Sequence, residues 1–368
     1  MLIGIVCQNF PPATFEGGIS HYSQLLATAL CARGHQIFAL TSTEFTKKDK
    51  GQKETNGIDI IRIPGPWNWA TISNIKKVVL DKGIQALVLQ YSPASFVSSF
   101  RVVWALTPFP CQKITSFHTL WGGGKYDRLV SLLMLWGCRK IIATNSEIMH
   151  LLEKHVPFFL KKTYWIPIGS NILQAKRYGK EDDSSQPVIS FFGMLYPGKG
   201  LSLILDVVQE LKEQGHSFQF KFVGGGMLGL KSYEDHFQKD IAARGLQHTV
   251  EHLGLMPTEE VSKWIQASRF LFLPYEAGLS DRRGSFMAAI AHGKAVLTSP
   301  PVVDMPFVRS GENVVWPENQ KLDAYVRLAE KLLIDDGLVK KLEQGAEQLA
   351  RQFSWEQIAQ DHELVLQV

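Results

Sequence analysis

Short apolar segments recur along the whole chain, and amphipathic stretches of helical length separate them. LIGIVCQ at the start, ALVLQY from Ala86 and KIIATNS from Lys140 are examples. These segments lack the strict alternation of apolar and polar residues that marks a strand with one face in water. They therefore predict strands buried on both faces, and their alternation with helices predicts parallel, doubly wound α/β sheets.

One segment interrupts this alternation. Residues 171–187 (NILQAKRYGKEDDSSQP) are polar, charged and turn-forming, which is typical of a linker. The strand–helix pattern then begins again at VISFFGML, so the chain forms two halves of similar size. We predict two Rossmann-like domains, residues 1–175 and 176–353. Ligands of such sheets bind beyond the carboxyl ends of the strands, so we expect the functional loops there, facing a cleft between the halves.

The charge and the cysteine content narrow the class of protein. Hydrophobic residues make up 45% of the 368 residues and the net charge is +4, as in an ordinary globular protein with full cores. That charge is too small for a dedicated nucleic-acid binder, but it suits anionic small molecules or light contact with an anionic membrane surface. The cysteines are widely spaced without a C-x-x-C pair, which favours reduced thiols over disulfides or a metal site: Cys7, Cys31, Cys111 and Cys138.

The chain start and the apolar segments give no sign of export or of a membrane span. The start has no basic region and reaches Pro11 too early for a signal peptide. No uncharged apolar stretch reaches the length of about 18 residues that a spanning helix needs. We therefore expect a cytoplasmic protein, and leave open a position at the inner face of the membrane.

Several loops at the predicted strand ends are suited to hold a ligand. Lys199 lies in a Gly-Lys-Gly corner at a helix start, where a lysine opposes the helix dipole unless an anion is bound. Gly17 and Gly18 also precede a helix, and form either an anion contact or a tight turn. Residues 224–226 are three glycines at a strand end, which indicates close approach of a ligand or of another strand. His118 ends a strand and is either a structural residue or a substrate contact.

The loop LSDRRGS, from Leu279, opens into the small-residue helix FMAAIAHG. Arg282 and Arg283 keep their charge at any physiological pH, and their donors match phosphate oxygens in pairs. Ser285 and the helix N-terminus add further donors. Two solvated surface arginines are the ordinary alternative, but the close-packing helix that follows favours an anion site.

The ordered motifs of the second half resemble the nucleotide-sugar-binding domain of the family-4 glycosyltransferases, retaining enzymes of the GT-B fold. GMLYPGKG, FVGGG, HLGLM, FLFLPYE and AAIAHGKAV follow one another as the corresponding family motifs do. In the first half, PPATFEGGISHYS, SFHT and IPIGSN resemble the family's Gly-Gly, histidine and P-N-G loops. FSWEQIAQDH resembles the last helix, which returns to the N-terminal domain, so we assign residues 354–368 to the first domain.

The resemblance implies a metal-independent hexosyltransferase-type enzyme without a cofactor. It moves a sugar from a nucleotide-diphosphate sugar, UDP or GDP not distinguished, to a hydroxyl acceptor in glycan, glycolipid or polysaccharide assembly. It implies a diphosphate contact for Lys199, phosphate contacts for the Gly17 or Gly18 amides, and a sugar contact for His118. We expect catalytic roles for His118, Lys199 and Arg283. Donor contacts are expected at Gly17, Gly18, Gly193, Lys199, Gly224, Gly225, Arg282, Arg283, Gly284 and Ser285. Candidate sugar or acceptor contacts are Glu16, His21, Thr119, Asn171, Glu276 and Ser280.

The chain departs from the family pattern at the residues that hold the donor. Met194 stands where the family has an arginine, and Ser280 and Ala288 stand where it has the glutamate pair E-x7-E. The chain is similar to a subgroup whose loop reads S-x-R-R-G-S/T. We infer that Arg282 or Arg283 supplies the missing positive charge, and that Ser285 and the Gly284 amide take over part of the hydroxyl recognition.

Other interpretations stay open at this stage. The eroded glutamate pair is also compatible with a non-catalytic GT-B subunit that serves a partner. Glu276 or His118 as a general base would suit a sugar-nucleotide epimerase or hydrolase. Residues 125–140 (KYDRLVSLLMLWGCRK) form an apolar helix bracketed by basic residues, which is either a core helix or a patch that meets lipid-linked acceptors at a membrane.

Overall fold

The computed structural model describes residues 1–13, 17–45, 54–55, 57–175, 186–226 and 231–367. They form two compact units. The first comprises Met1–Asn171 with Trp355–Val368, and the second comprises Ile172–Ser354. Most of the predicted linker, residues 176–185, lies outside the described residues.

The first unit contains one eight-stranded sheet. Its strands are β1 (Leu2–Val6), β2 (Gln36–Ser42), β3 (Glu54–Thr55), β4 (Ile58–Ile63), β5 (Ala86–Tyr91), β6 (Gln112–Phe117), β7 (Lys140–Ala143) and β8 (Thr163–Trp165). Their order across the sheet is β3-β4-β2-β1-β5-β6-β7-β8. Every neighbouring pair is parallel except β3 and β4, which are antiparallel.

Helices cover both faces of this sheet. They are α1 (Gly18–Ala32), α2 (Thr71–Lys82), α3 (Ser98–Leu106), α4 (Lys125–Gly137), α5 (Ser146–His155) and, from the far end of the chain, α12 (Trp355–Gln367). One core packs the sheet against α1 and α12, through residues such as Leu26 and Ile358. The other packs it against α2 to α5, through residues such as Trp104 and Met134. The strands are therefore buried on both faces, as their continuous apolar character predicts.

The second unit repeats this design around a five-stranded parallel sheet. Its strands are β9 (Val188–Phe192), β10 (Gln219–Val223), β11 (Val250–Gly254), β12 (Phe270–Leu273) and β13 (Val296–Thr298), in the order β11-β10-β9-β12-β13. Its helices are α6 (Leu201–Glu213), α7 (Lys231–Ala243), α8 (Thr258–Ala267), α9 (Gly284–Ala291), α10 (Leu322–Ile334) and α11 (Asp336–Ala350). The predicted fold class, two doubly wound α/β domains, is confirmed. Of the helices within the described ranges, none is both long and apolar enough to cross a membrane.

Three lysines of the first unit bind the carbonyl ends of its helices. The ammonium group of Lys113 donates to three carbonyl oxygens at the end of α3, at 2.8–3.0 Å. Lys162 donates to the carbonyls of Trp136 (3.3 Å) and Cys138 (2.5 Å) at the end of α4. Lys140 donates to the Val365 carbonyl in α12. A cation there satisfies carbonyls that have no partner inside the helix and opposes the negative end of the helix dipole.

The Lys113→Met variant should therefore lose stability. Removing a charged donor from three carbonyls costs about 1–3 kcal/mol, which for a unit of this size lowers the Tm by about 2–10 °C. Thermal unfolding followed by circular dichroism measures this shift. Lys77→Met on the exposed side of α2 is the matched control, since Lys77 is exposed and has no described partner. Equal Tm values for the two variants would contradict the role given to Lys113.

Candidate functional site

In the second unit, two loops meet at the carboxyl ends of neighbouring strands β9 and β12. Gly200 has a φ of 68°, in the left-handed region that favours glycine. A Cβ atom on Gly200 would lie 2.0 Å from the Pro274 carbonyl oxygen, so only glycine lets these loops approach so closely. The Glu276 amide also donates to the Gly198 carbonyl (3.3 Å). These contacts place Lys199 beside Tyr275.

Lys199 is buried, with 7% of its surface exposed. Its ammonium nitrogen lies 5.0 Å from the ring centroid of Tyr196 and 5.4 Å from that of Tyr275. Burial, and secondly the positive charge of Arg283, lower the pKa of Lys199 to about 8. Among the described residues no carboxylate forms an ion pair with Lys199. An anion that enters the site therefore stabilises the charged form of this buried ammonium group.

Arg283 lies on the same aromatic ring as Lys199. The central carbon of its guanidinium group is 5.0 Å from the Tyr275 ring centroid. Its Nε atom is buried and has no hydrogen-bond partner among the described residues. Arg283 is the N-cap of α9, and its amide donates to the Ser280 carbonyl at 3.1 Å. Its neighbour Arg282 is exposed, and the Arg282 amide lies 3.4 Å from the Ser280 hydroxyl.

Tyr275 is joined to the start of α9 as well. Its hydroxyl lies 2.6 Å from the Ser285 hydroxyl. Burial raises the pKa of Tyr275, so the phenol is neutral. Ser285 is buried by this contact, while Gly284 beside it is exposed. The first turn of α9 contains no acidic side chain.

The arrangement is suited to bind an anion with two or more negative oxygens. Two cations and the positive end of a helix dipole lie close together here. Each of the three attracts a negatively charged phosphate group. The described residues contain no group of three or more histidine, cysteine or carboxylate side chains placed to hold a metal ion.

The glycines after β9 and β10 bring two loops together. The Gly193 amide donates to the Val223 carbonyl (3.0 Å) and the Gly224 amide to the Gly254 carbonyl (3.1 Å). A Cβ atom on Gly224 would lie 2.2 Å from the Gly193 carbonyl oxygen. At Gly225 it would lie 2.5 Å from the exposed side chain of Leu255. Of the two interpretations of the glycine triplet, close approach of neighbouring chain segments is the one observed at Gly224.

The first unit contains the other predicted residues. Gly17 is the N-cap of α1, and apart from the adjoining backbone no atom of the described residues lies within 4 Å of a Cβ placed on Gly18. The Asn171 side chain donates to the Gly18 carbonyl (3.4 Å), and His21 is half-buried in the first turn of α1. Glu16 lies outside the described residues.

His118 and the half-buried Thr119 directly follow β6. The Nε2 atom of His118 donates to the side-chain oxygen of Gln90 (2.8 Å), and its ring packs edge-on against Tyr22 at 4.9 Å. Burial, and secondly His362, lower the pKa of His118 to about 3. The imidazole is therefore neutral, with Nδ1 left as an acceptor. Such a group suits hydrogen bonding to a sugar better than it suits general-base catalysis near neutral pH.

Sequence reasoning missed the residues that support these side chains. Tyr275, Tyr196 and Gln90 are absent from the predicted set, yet each contacts a predicted residue. Tyr275 adjoins Glu276 within the motif FLFLPYE, so its position at a strand end was the available signal, and its contact with the two cations is seen only in the structure.

The second unit matches a family of known transferases. Residues 174–349 match the model of "Glycosyl transferases group 1". The "Phosphatidylinositol N-acetylglucosaminyltransferase GPI3 subunit" of Saccharomyces cerevisiae is 21% identical over 351 residues, which cover 90% of this chain and 75% of the yeast protein. These matches support a glycosyltransferase.

Solved glycosyltransferase structures share the fold of the whole chain. Sucrose-phosphate synthase from Thermosynechococcus elongatus superposes with a TM-score of 0.76 at 18% identity, covering 100% of this chain and 98% of that one. Anabaena HepE, solved in complex with UDP and glucose, gives a TM-score of 0.75 at 15% identity, with 100% and 99% coverage. The two-domain GT-B fold implied by the ordered motifs is therefore confirmed.

The lowered pKa of Lys199 is directly measurable. Amines react with acetic anhydride only when deprotonated, so the labelling rate of Lys199 should rise with pH to a midpoint of about 8. An ordinary exposed lysine has its midpoint near ~10.4. Mass spectrometry of labelled peptides gives both rates. In Arg283→Ala the Lys199 midpoint should move upward, because a neighbouring positive charge is gone. A Lys199 midpoint near ~10.4 in the unaltered protein would contradict the buried site.

Proposed function

We propose that the protein is a retaining, metal-independent glycosyltransferase that moves a sugar from a nucleotide-diphosphate sugar to a hydroxyl acceptor. The observation that carries the proposal is a pair of buried or half-buried cations that lie over one ring, that of Tyr275: Lys199 before α6 and Arg283 at the start of α9. This pair lies in the unit that matches the group 1 transferases. The UDP and UDP-glucose complexes of Anabaena HepE support a nucleotide-sugar donor. The retaining outcome is supported by the resemblance of the ordered motifs.

The chemistry required of the second unit is stabilisation of a leaving group. The bond between the anomeric carbon and the diphosphate oxygen breaks, and the departing diphosphate gains negative charge. The Lys199 ammonium, the Arg283 guanidinium and the first amides of α9 stabilise that charge, more strongly in the transition state than before it. The acceptor hydroxyl oxygen forms the new bond on the same face of the sugar, and its proton passes to the departing phosphate oxygen. Neutral His118 hydrogen-bonds the transferred sugar.

The two arginines take on different tasks in this proposal. The Arg283 guanidinium lies over Tyr275 beside Lys199, in the position to supply the charge that Met194 lacks. Arg282 is exposed and its backbone bonds to Ser280, one of the two positions where the family has glutamates. The other position, Ala288, is fully buried in α9. In place of the missing glutamates, the Gly284 amide, Ser285 and Glu276 then hydrogen-bond the ribose and sugar hydroxyls.

Calorimetric titration with UDP and with GDP tests the proposal. Arg283→Ala should weaken binding of the preferred nucleotide by about 10- to 100-fold, the value of a hydrogen-bonded charge pair. Arg282→Ala is the matched neighbour and should have a smaller effect. A screen of donors and acceptors by mass spectrometry should detect sugar transfer by the unaltered protein and its loss in Lys199→Ala.

Three outcomes would count against the proposal. If both arginine variants kept full nucleotide affinity and full turnover, neither arginine would supply the positive charge that stabilises the diphosphate. If the unaltered protein bound neither nucleotide, the alternative of a non-catalytic GT-B subunit would be favoured. An epimerase or hydrolase would instead convert the donor without any acceptor.

We also propose that the acceptor is lipid-linked and that the first unit binds an anionic bilayer through α4. One side of α4 belongs to the core, through residues such as Met134. The opposite side is apolar too but faces solvent, because Tyr126, Leu129 and Trp136 are 60–68% exposed. The core-helix interpretation thus describes the buried face of α4, and we propose the membrane interpretation for the exposed face. An exposed apolar helix face of this kind marks an interaction surface.

The surroundings of this face favour a membrane as its partner. The Lys162 contact to the Trp136 carbonyl puts the turn Pro157–Lys162 beside the end of α4, and that turn carries Phe158, which is 65% exposed. Exposed basic residues lie near these apolar residues in the sequence: Lys125, Arg128 and Arg139 in or next to α4, and Lys154 and Lys161 on either side of Phe158. Tryptophan and leucine flanked by lysine and arginine are typical of helices at an anionic lipid surface. The proposal puts the enzyme in the cytoplasm, at the inner face of the membrane. The phosphatidylinositol in the name of the yeast relative supports a lipid-linked acceptor.

Co-sedimentation with vesicles of phosphatidylcholine and phosphatidylglycerol tests this surface. Leu129→Asp and Trp136→Asp should each reduce binding by about tenfold or more, because each puts a charge where an apolar side chain enters the bilayer. Leu80→Asp on α2 is the control, since Leu80 is 67% exposed and lies on another helix of the same unit. Unchanged vesicle binding in the two α4 variants would refute the surface, as would no binding by the unaltered protein.

A further inference from the structure

We propose that Tyr275 is a positioning residue that holds the Lys199 ammonium and the Arg283 guanidinium together, so that both act on one diphosphate. The inference rests on the proposed function for the identity of the anion. In this inference the uncharged Tyr275 holds the like charges of Lys199 and Arg283 close together before a ligand binds.

The first observation is the contact of one ring with two cations. The Tyr275 ring centroid lies 5.4 Å from the Lys199 nitrogen and 5.0 Å from the Arg283 central carbon. Two cations repel each other, and neither forms an ion pair with a described carboxylate. The negative face of an aromatic ring attracts a cation, and does so most strongly where water is excluded. Tyr275 is fully buried, so its ring offsets part of the repulsion.

The second observation is that Tyr275 lies where three chain segments meet. The preceding residue, Pro274, is the one whose carbonyl oxygen Gly200 approaches, which ties Tyr275 to the loop that carries Lys199. The Tyr275 hydroxyl bonds to Ser285, which lies in the first turn of α9, two residues after Arg283. The ring and the hydroxyl thus connect Lys199 and Arg283 to one rigid strand end.

A second buried tyrosine of the same unit shows what a purely structural role looks like. Tyr325 in α10 is buried, its hydroxyl lies 3.1 Å from the Ser299 hydroxyl, and its ring packs on Phe272. No cation among the described residues lies over the Tyr325 ring. Tyr325 therefore resembles Tyr275 because both are buried and both have a serine hydroxyl as partner. It differs because no described cation lies over its ring.

The test compares binding of a nucleoside diphosphate with binding of its phosphate-free nucleoside. The probes are UDP with uridine and GDP with guanosine, the nucleosides measured by competition. Tyr275→Leu should weaken diphosphate binding by about 10- to 100-fold, from the loss of two desolvated cation contacts, and leave nucleoside binding unchanged. Tyr275→Phe keeps the ring and should lose about threefold or less. Tyr325→Leu should lower the Tm without changing the diphosphate affinity.

A shape-preserving series keeps the test decisive if Tyr275→Leu does not fold. Phenylalanine at position 275 with one, two or three ring fluorines keeps the volume and progressively weakens the negative face of the ring. Diphosphate affinity should fall stepwise along this series. Affinity that stays constant along the series, while Lys199→Ala abolishes binding, would overturn the inference and leave the proposed function intact. Failure of the unaltered protein to bind UDP or GDP would instead overturn the proposed function.

Discussion

Burial of parallel strands on both faces is the constraint on which the rest of this molecule depends. In the first unit, helices pack on both faces of the sheet, so most side chains within the strands belong to one of two cores. The loops beyond the carboxyl ends of the strands are the remaining places where side chains and amides can meet at one point. Lys199, Tyr275 and Arg283 come together at such an edge in the second unit, and His118 stands at the corresponding edge of the first.

The electrostatics of the two units differ in a way that suits their proposed tasks. The second unit concentrates positive charge in a partly buried site. The electrostatic attraction for a diphosphate is stronger there than it would be in water. The first unit keeps its histidine neutral through burial, with Gln90 holding one ring nitrogen. Under the proposed function, one unit offers charge to the leaving group, and the other offers uncharged hydrogen-bonding groups to the sugar.

Local sequence signals predict much of this arrangement, and its missing parts are those that depend on distant segments. The apolar runs and the glycine corners predict both sheets and the position of Lys199 at the start of α6, because strands and helix starts leave local patterns. Nothing local distinguishes Tyr275 from any aromatic residue at a strand end. Its proposed role follows from its contact with Lys199, which lies more than 70 residues earlier in the chain. The Gly224 amide likewise has a local pattern that suits a phosphate, but Gly254 of the next strand occupies it.

The return of α12 to the first unit has a consequence for the modular use of this chain. Ile358, Ala359 and Leu366 of α12 complete a core that begins with Ile3 and Ile5, so a fragment that stops at Asn171 loses part of the cover on that face of the sheet. The second unit, by contrast, is continuous in sequence. It is an insertion within the first, and both of its ends join the host unit. A chimaera that takes its second unit from another protein must therefore be built by replacing residues 172–354 as one internal segment, since joining two terminal halves end to end would remove α12 from its own domain.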